Sequence, residues 1–138
     1  MTPTEAGTLL TMASAFDNRK VDPDAAKAWA VALDGLRFDD CRAALIQHYK
    51  TSTDWLMPAS LRTLVKRLRR NRVLEYGVLP DPPSHLDPDN AAAYIAWQKA
   101  TTRAIADGNP PTKPAELPAR DPGEIRALLS AATKEIPE

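Results

Sequence analysis

The sequence predicts an all-α protein: a small N-terminal bundle of about four helices, then a proline-rich tail with two further helices. Three observations predict it. Apolar residues recur at spacings of three and four, the period of a helix rather than of a strand. Four segments open on Thr-Pro or Asp-Pro, at residues 2, 22, 87 and 121. That pair supplies a capping oxygen, then a residue whose missing N–H costs nothing in the first turn. No segment shows the strict alternation of a half-buried strand.

Each element follows from its own residues. Thr2-Pro3-Thr4-Glu5 is a capping box, and the first helix should run to about Phe16 with Leu9, Met12, Ala13 and Phe16 on one face. Asp22-Pro23 opens a second helix, with Ala26, Trp29, Ala30, Leu33 and Leu36 as its stripe. Asp39 is the expected cap of a third, carrying Ala43, Leu45, Ile46 and Tyr49. Pro58 opens a fourth, with Leu61, Leu64, Val65 and Leu68 inward. Asp87-Pro88 opens a fifth, near 88–107, bearing Tyr94, Trp97, Ala104 and Ile105 and ending at Gly108. Asp121-Pro122 opens a sixth, near 122–135, with Ile125, Leu128, Leu129 and Ala132. Trp29 and Trp55 are expected in the bundle core. Trp97 with Tyr94 fits either internal packing or an exposed anchor, a common use of tryptophan at interfaces.

Charge and proline divide the chain. Residues 1–57 carry six basic and eight acidic groups, residues 58–77 six and one, and residues 78–138 six and nine. The net charge of zero thus hides a basic block between two acidic ones. Ten of the thirteen prolines lie at or beyond Pro80, so the stretches 79–84 and 109–118 read as linkers. The expected division is a helical bundle at 1–77 and a partner-binding tail at 78–138. The tail stripes must either fold back on the bundle or meet a partner.

The same arithmetic excludes several classes. A neutral chain is no uniform cationic coat. No apolar run is long enough to cross a bilayer, so no membrane role is expected. The first residues lack the pattern of a signal peptide. A single cysteine, Cys41, rules out an internal disulfide framework and a cysteine-based zinc site, and points to a reducing cytoplasm. No phosphate-binding motif is present, and no cofactor is expected.

Few residues offer chemistry. Asp17, Asp22 and Asp24 lack the glycine and terminal glutamate of a calcium loop; Asp22 reads as a helix cap and Asp17 as a helix-end loop residue. Cys41 and His48 lie seven apart on the third helix, without the third group that an activated nucleophile needs. A buried thiol and a capping or surface imidazole are the plainer reading. No carboxylate pair demands acid–base work, so the expectation is a protein without catalysis.

The basic fourth helix is the main candidate. Arg62, Lys66, Arg69 and Arg70 fall on one stripe, flanked by Arg67 and Arg72. A cationic outer face binds phosphates because each contact releases a condensed counterion. Plainer roles compete: complementing the helix dipole, forming a solvated face, or pairing with the acidic tail or an acidic partner. Few aromatics stand beside the stripe, so stacking of single-stranded bases is not supported.

Residues 5–70 resemble the N-terminal domain of phage helicase loaders, the family of loaders and inhibitors of a phage replicative helicase. The resemblance rests on Ala15-Phe16, Val21-Asp22-Pro23, the run Ala28–Leu33, the run Leu36–Ala44, His48–Ser52 and the turn from Trp55 to Leu61. It implies a compact N-terminal helical domain and a C-terminal part that engages a hexameric DnaB-type helicase. The tail residues Tyr94, Trp97, Ile125, Leu128 and Leu129 would then dock on the helicase. The basic helix would contact DNA or another replication protein. Absence of a nucleotide motif separates the chain from loaders of the ATPase type. A small DNA-binding regulator and an adaptor for a host protein are the alternatives.

Overall fold

The computed structural model describes residues 1–112. The predicted sixth helix, with Ile125, Leu128 and Leu129, lies outside the described residues. Those residues form five α-helices and no strand: α1 Pro3–Asp17, α2 Pro23–Ala32, α3 Phe38–Thr51, α4 Pro58–Tyr76 and α5 Ala91–Ala106. The all-α fold is as the periodicity predicts.

The predicted caps form at α1 and α2. Thr2 Oγ1 accepts from the Glu5 amide, and Glu5 accepts in return from the Thr2 amide at 2.8 Å. That bond from the Thr2 backbone holds the Glu5 carboxyl below its ordinary range. Asp22 accepts from Ala25 N at 2.8 Å. Asn18 ends α1 in the left-handed region, where its amide reaches Ser14 O. Gly108, at φ 82°, ends α5 as expected.

Two starts differ from the expectation. α3 begins at Phe38, and Arg37 at its N-cap makes no side-chain cap bond. The turn through Gly35, with Leu36 N on Leu33 O, delivers the chain to the helix before Asp39. Asp39 and Asp40 therefore sit in the first turn, where the helix dipole favours them. α5 begins later than Pro88. Asp87 is used in its own turn, accepting from Asp89 N, and Asn90 caps the helix through Ala93 N.

The core joins all four N-terminal helices. α1 packs on α2 and α3, and α4 packs on α3, α2 and α5. Leu9, Leu10, Leu33, Leu45, Leu56, Leu61 and Val65 are fully buried. Each such side chain contributes about 1.5–3 kcal/mol through burial. Trp29 lies in this core, but Trp55 and Phe16 do not: they are 61% and 58% exposed. Phe16 instead stacks on Tyr49, with centroids 4.8 Å apart. On α3 the buried face is Asp40, Cys41, Ala44 and Leu45, while Ile46 turns outward. α3 faces α1 and α4 together, so its buried arc lies between them rather than along the Ala43–Ile46 line.

The stripe of α5 is answered within the chain at its C-terminal end. Ile105 is buried against the body, and α5 lies on α4. Tyr94 remains 43% exposed and Trp97 half-buried, their rings 5.6 Å apart.

Candidate functional site

α4 supplies the predicted cationic residues, and folding sorts them into two sets. Its inward face carries Leu61 and Val65. Arg72 lies seven positions after Val65, on nearly the same bearing at 100° per residue, so it points toward the body. There its Nη1 donates to Asp40 Oδ1 at 2.5 Å and to Ala106 O at 2.9 Å. Arg69 Nη1 donates to Asp40 Oδ2 at 3.1 Å and meets Asp107 Oδ1 at 2.6 Å. Arg37 adds a bond to the Asp107 carbonyl. Arg103 approaches Asp107 Oδ2 at 3.9 Å. Asp40 is buried at 1% exposure, and these guanidinium contacts compensate its burial. Arg62, higher on the helix, donates to Ala32 O at 2.9 Å and Asp34 O at 3.0 Å.

Three of the six predicted contacts, Arg62, Arg69 and Arg72, therefore hold the chain together. The other three, Lys66, Arg67 and Arg70, are exposed and have no ion pair among the described residues. Sequence reasoning missed Asp40 and Asp107 as the counter-charges of Arg69 and Arg72, and Arg37 as a further partner of Asp107. The Arg103–Asp107 spacing of four was a visible signal for one contact; the others join residues about 30 or more apart and left no local trace.

A second polar cluster ties the ends of α1 and α3. Arg19 Nε lies 3.0 Å from both oxygens of Asp17, and Tyr49 donates to Asp17 Oδ2 at 2.5 Å. The Arg19 guanidinium sits 5.1 Å from the Trp29 ring centroid and 5.2 Å from that of Trp55. This is cation–π geometry, and it gives the exposed Trp55 a role. The Arg19 bonds draw the Asp17 carboxyl down to about 2. Burial, with the bond to Asp17, pushes the Tyr49 phenol up. Asp17 is thus committed to an internal pair, Asp22 to its cap and Asp24 to Lys27 at 3.3 Å.

Cys41 is fully buried, and its burial pushes the thiol up to about 11, the opposite of an activated nucleophile. The His48 ring engages Asp54 O at 2.7 Å and packs edge-on to Tyr49. No helix of the described residues is long and apolar enough to cross a membrane.

Compared with protein-family models, curated proteins and solved structures, the chain matches none of them. The functional reading therefore rests on the residues themselves.

Proposed function

We propose that this protein is a non-enzymatic, cytoplasmic DNA-replication accessory of the phage loader/inhibitor kind, binding a hexameric DnaB-type replicative helicase. The observation that supports it is a pair of unlike exposed faces on one body. α5 presents Tyr94 and Ile95, each nearly half exposed, with Trp97 beside them. α4 presents Lys66, Arg67 and Arg70. An adaptor needs two separate surfaces, and aromatic anchors of this kind dominate protein interfaces. The sequence resemblance over residues 5–70 covers α1, α2, α3 and most of α4, the bundle that carries the cationic face and against which α5 packs.

The test is capture of purified DnaB-type helicase by the full chain, its Tyr94→Ala/Ile95→Ala variant and a truncation after Thr112. Retention by the full chain, weakened about tenfold or more by the α5 variant, supports helicase docking at α5. Loss on truncation alone assigns the contact to residues 113–138, the segment that holds Ile125, Leu128 and Leu129. A helicase retained by none of the three ends the proposal.

A second reading is a small DNA-binding regulator. It is favoured by the three exposed cations that α4 leaves without ion pairs.

A further inference from the structure

Two open depressions flank α4, and both are walled by Arg69. One, toward the turn after α2, adds Arg62, Thr63 and Lys66 beside the apolar Leu36 and Val65. The other, between α4 and α5, adds Gln98, Lys99, Thr102 and Arg103. Among the described residues no carboxylate lines either one. Among the described residues the network beneath them is itself positive: the guanidiniums of Arg37, Arg69, Arg72 and Arg103 meet two carboxylates, Asp40 and Asp107. Arg62 and Arg69 are held in place by backbone and carboxylate oxygens, so part of the surface is ordered before any ligand arrives.

We propose that these two depressions form one cationic track, running from Arg62 through Lys66 and Arg69 to Lys99 and Arg103, that binds the phosphate backbone of a nucleic acid. This deepens the DNA-binding reading and rests on it, but moves the contact from the outer face of α4 to the flank it shares with α5. Lys99 and Arg103 enter a site that the sequence had confined to one helix. At the α4–α5 depression the lining favours a phosphate backbone over an acidic protein. Among the described residues the α4–α5 depression has no large apolar side chain for a protein anchor, Ala106 being its apolar member. It has instead amide and hydroxyl groups among its cations, the usual complement for phosphate oxygens. With no stacking aromatic in the lining among the described residues, the track fits backbone contact without base reading.

The experiment is fluorescence anisotropy of the full chain with a labelled duplex of about 20 base pairs and with one of its strands, over a salt series. Each lost phosphate contact lowers the slope of log K against log salt by about 1. Lys66→Gln with Lys99→Gln should therefore reduce the slope by about 2 and weaken binding about tenfold or more near 0.1 M salt. Neither lysine makes an ion pair among the described residues, and glutamine keeps the helix. The Lys66→Arg/Lys99→Arg pair should restore the slope. If Arg67→Gln/Arg70→Gln abolishes binding while the lysine pair leaves it unchanged, α4 binds DNA by its outer face and the track is wrong. If neither oligonucleotide binds at 0.05 M salt, both the track and the DNA-binding reading fall. A lysine-dependent affinity for polyglutamate without affinity for DNA makes the surface a protein site and overturns the proposal.

Discussion

Arg72 of α4 donates to the buried carboxylate of Asp40 on α3 at 2.5 Å, and the same nitrogen reaches the last carbonyl of α5. One guanidinium thus joins three helices. The arrangement explains why α5 lies on the bundle although a proline-rich stretch precedes it. The carbonyls at a helix C-terminus lack intrahelical donors and carry partial negative charge. Arg72 and Arg37 supply those donors at the end of α5.

Asp40→Ala should therefore destabilise the protein more than its small side chain suggests. It leaves Arg69 and Arg72 facing one another without their shared counter-charge. Removing one member of a buried pair costs about 3–5 kcal/mol, and the partial exposure of both arginines lowers the expectation to about 2–3 kcal/mol. Urea unfolding measures it. A loss below about 0.5 kcal/mol would make the clasp incidental.

Asp17 gives the pH dependence. Its carboxyl lies near 2 in the folded state, against 3.8 ordinarily, because Arg19 and Tyr49 bond the charged form. A carboxyl depressed by folding stabilises fully above its unfolded value, and that stability disappears as pH falls through the folded one. The window is about pH 4 down to pH 2. The shift corresponds to about 2 kcal/mol at neutral pH. In urea unfolding at several pH values, the difference between the native chain and Asp17→Asn should shrink through this window. A difference that stays constant from pH 6 to pH 2 would exclude the linkage.

The helices and most of the core were legible because they are local. Caps such as Thr2 and Asp22, and stripes such as Ala26–Trp29–Ala30–Leu33, declare themselves within a few residues. The failures are long-range. Trp55 and Phe16 are large and apolar, which points inward, yet they close over Arg19 and Tyr49 at the surface. The basic helix was legible as a cationic stripe. Its division was not, because that depends on Asp40 and Asp107, about 30 or more residues away from their arginines. Lys99 and Arg103 join the candidate site only through the docking of α5.

Cys41 should behave as a reporter of folding rather than of chemistry. It is fully buried, and burial raises its thiol to about 11. Only the thiolate reacts at an appreciable rate. Labelling by a disulfide reagent at pH 8 should be slow in the native chain, and denaturant should make it rapid. Its rate against urea should follow the unfolding curve. Rapid stoichiometric labelling without denaturant would mean that α3 opens locally, or that the thiol is not enclosed.

The boundary of the folded unit lies beyond α4. Proline and charge place it near residue 77, at the end of α4, but α5 contributes Ile105 to the interior and Asp107 to the arginines. A truncation after Gly77 removes both. Deleting a buried isoleucine side chain alone costs about 2–5 kcal/mol. The Gly77 truncation also strips Arg69 and Arg37 of their shared carboxylate and frees the α4 flank to solvent. It should unfold at a urea concentration well below that of a truncation after Thr112, with a stability difference of at least about 2 kcal/mol. Equal stability of the two would return the boundary to residue 77 and make the α4–α5 contact an association without energetic weight. In that case the track across both helices would lose its support, because Lys99 and Arg103 would no longer be held beside Arg69.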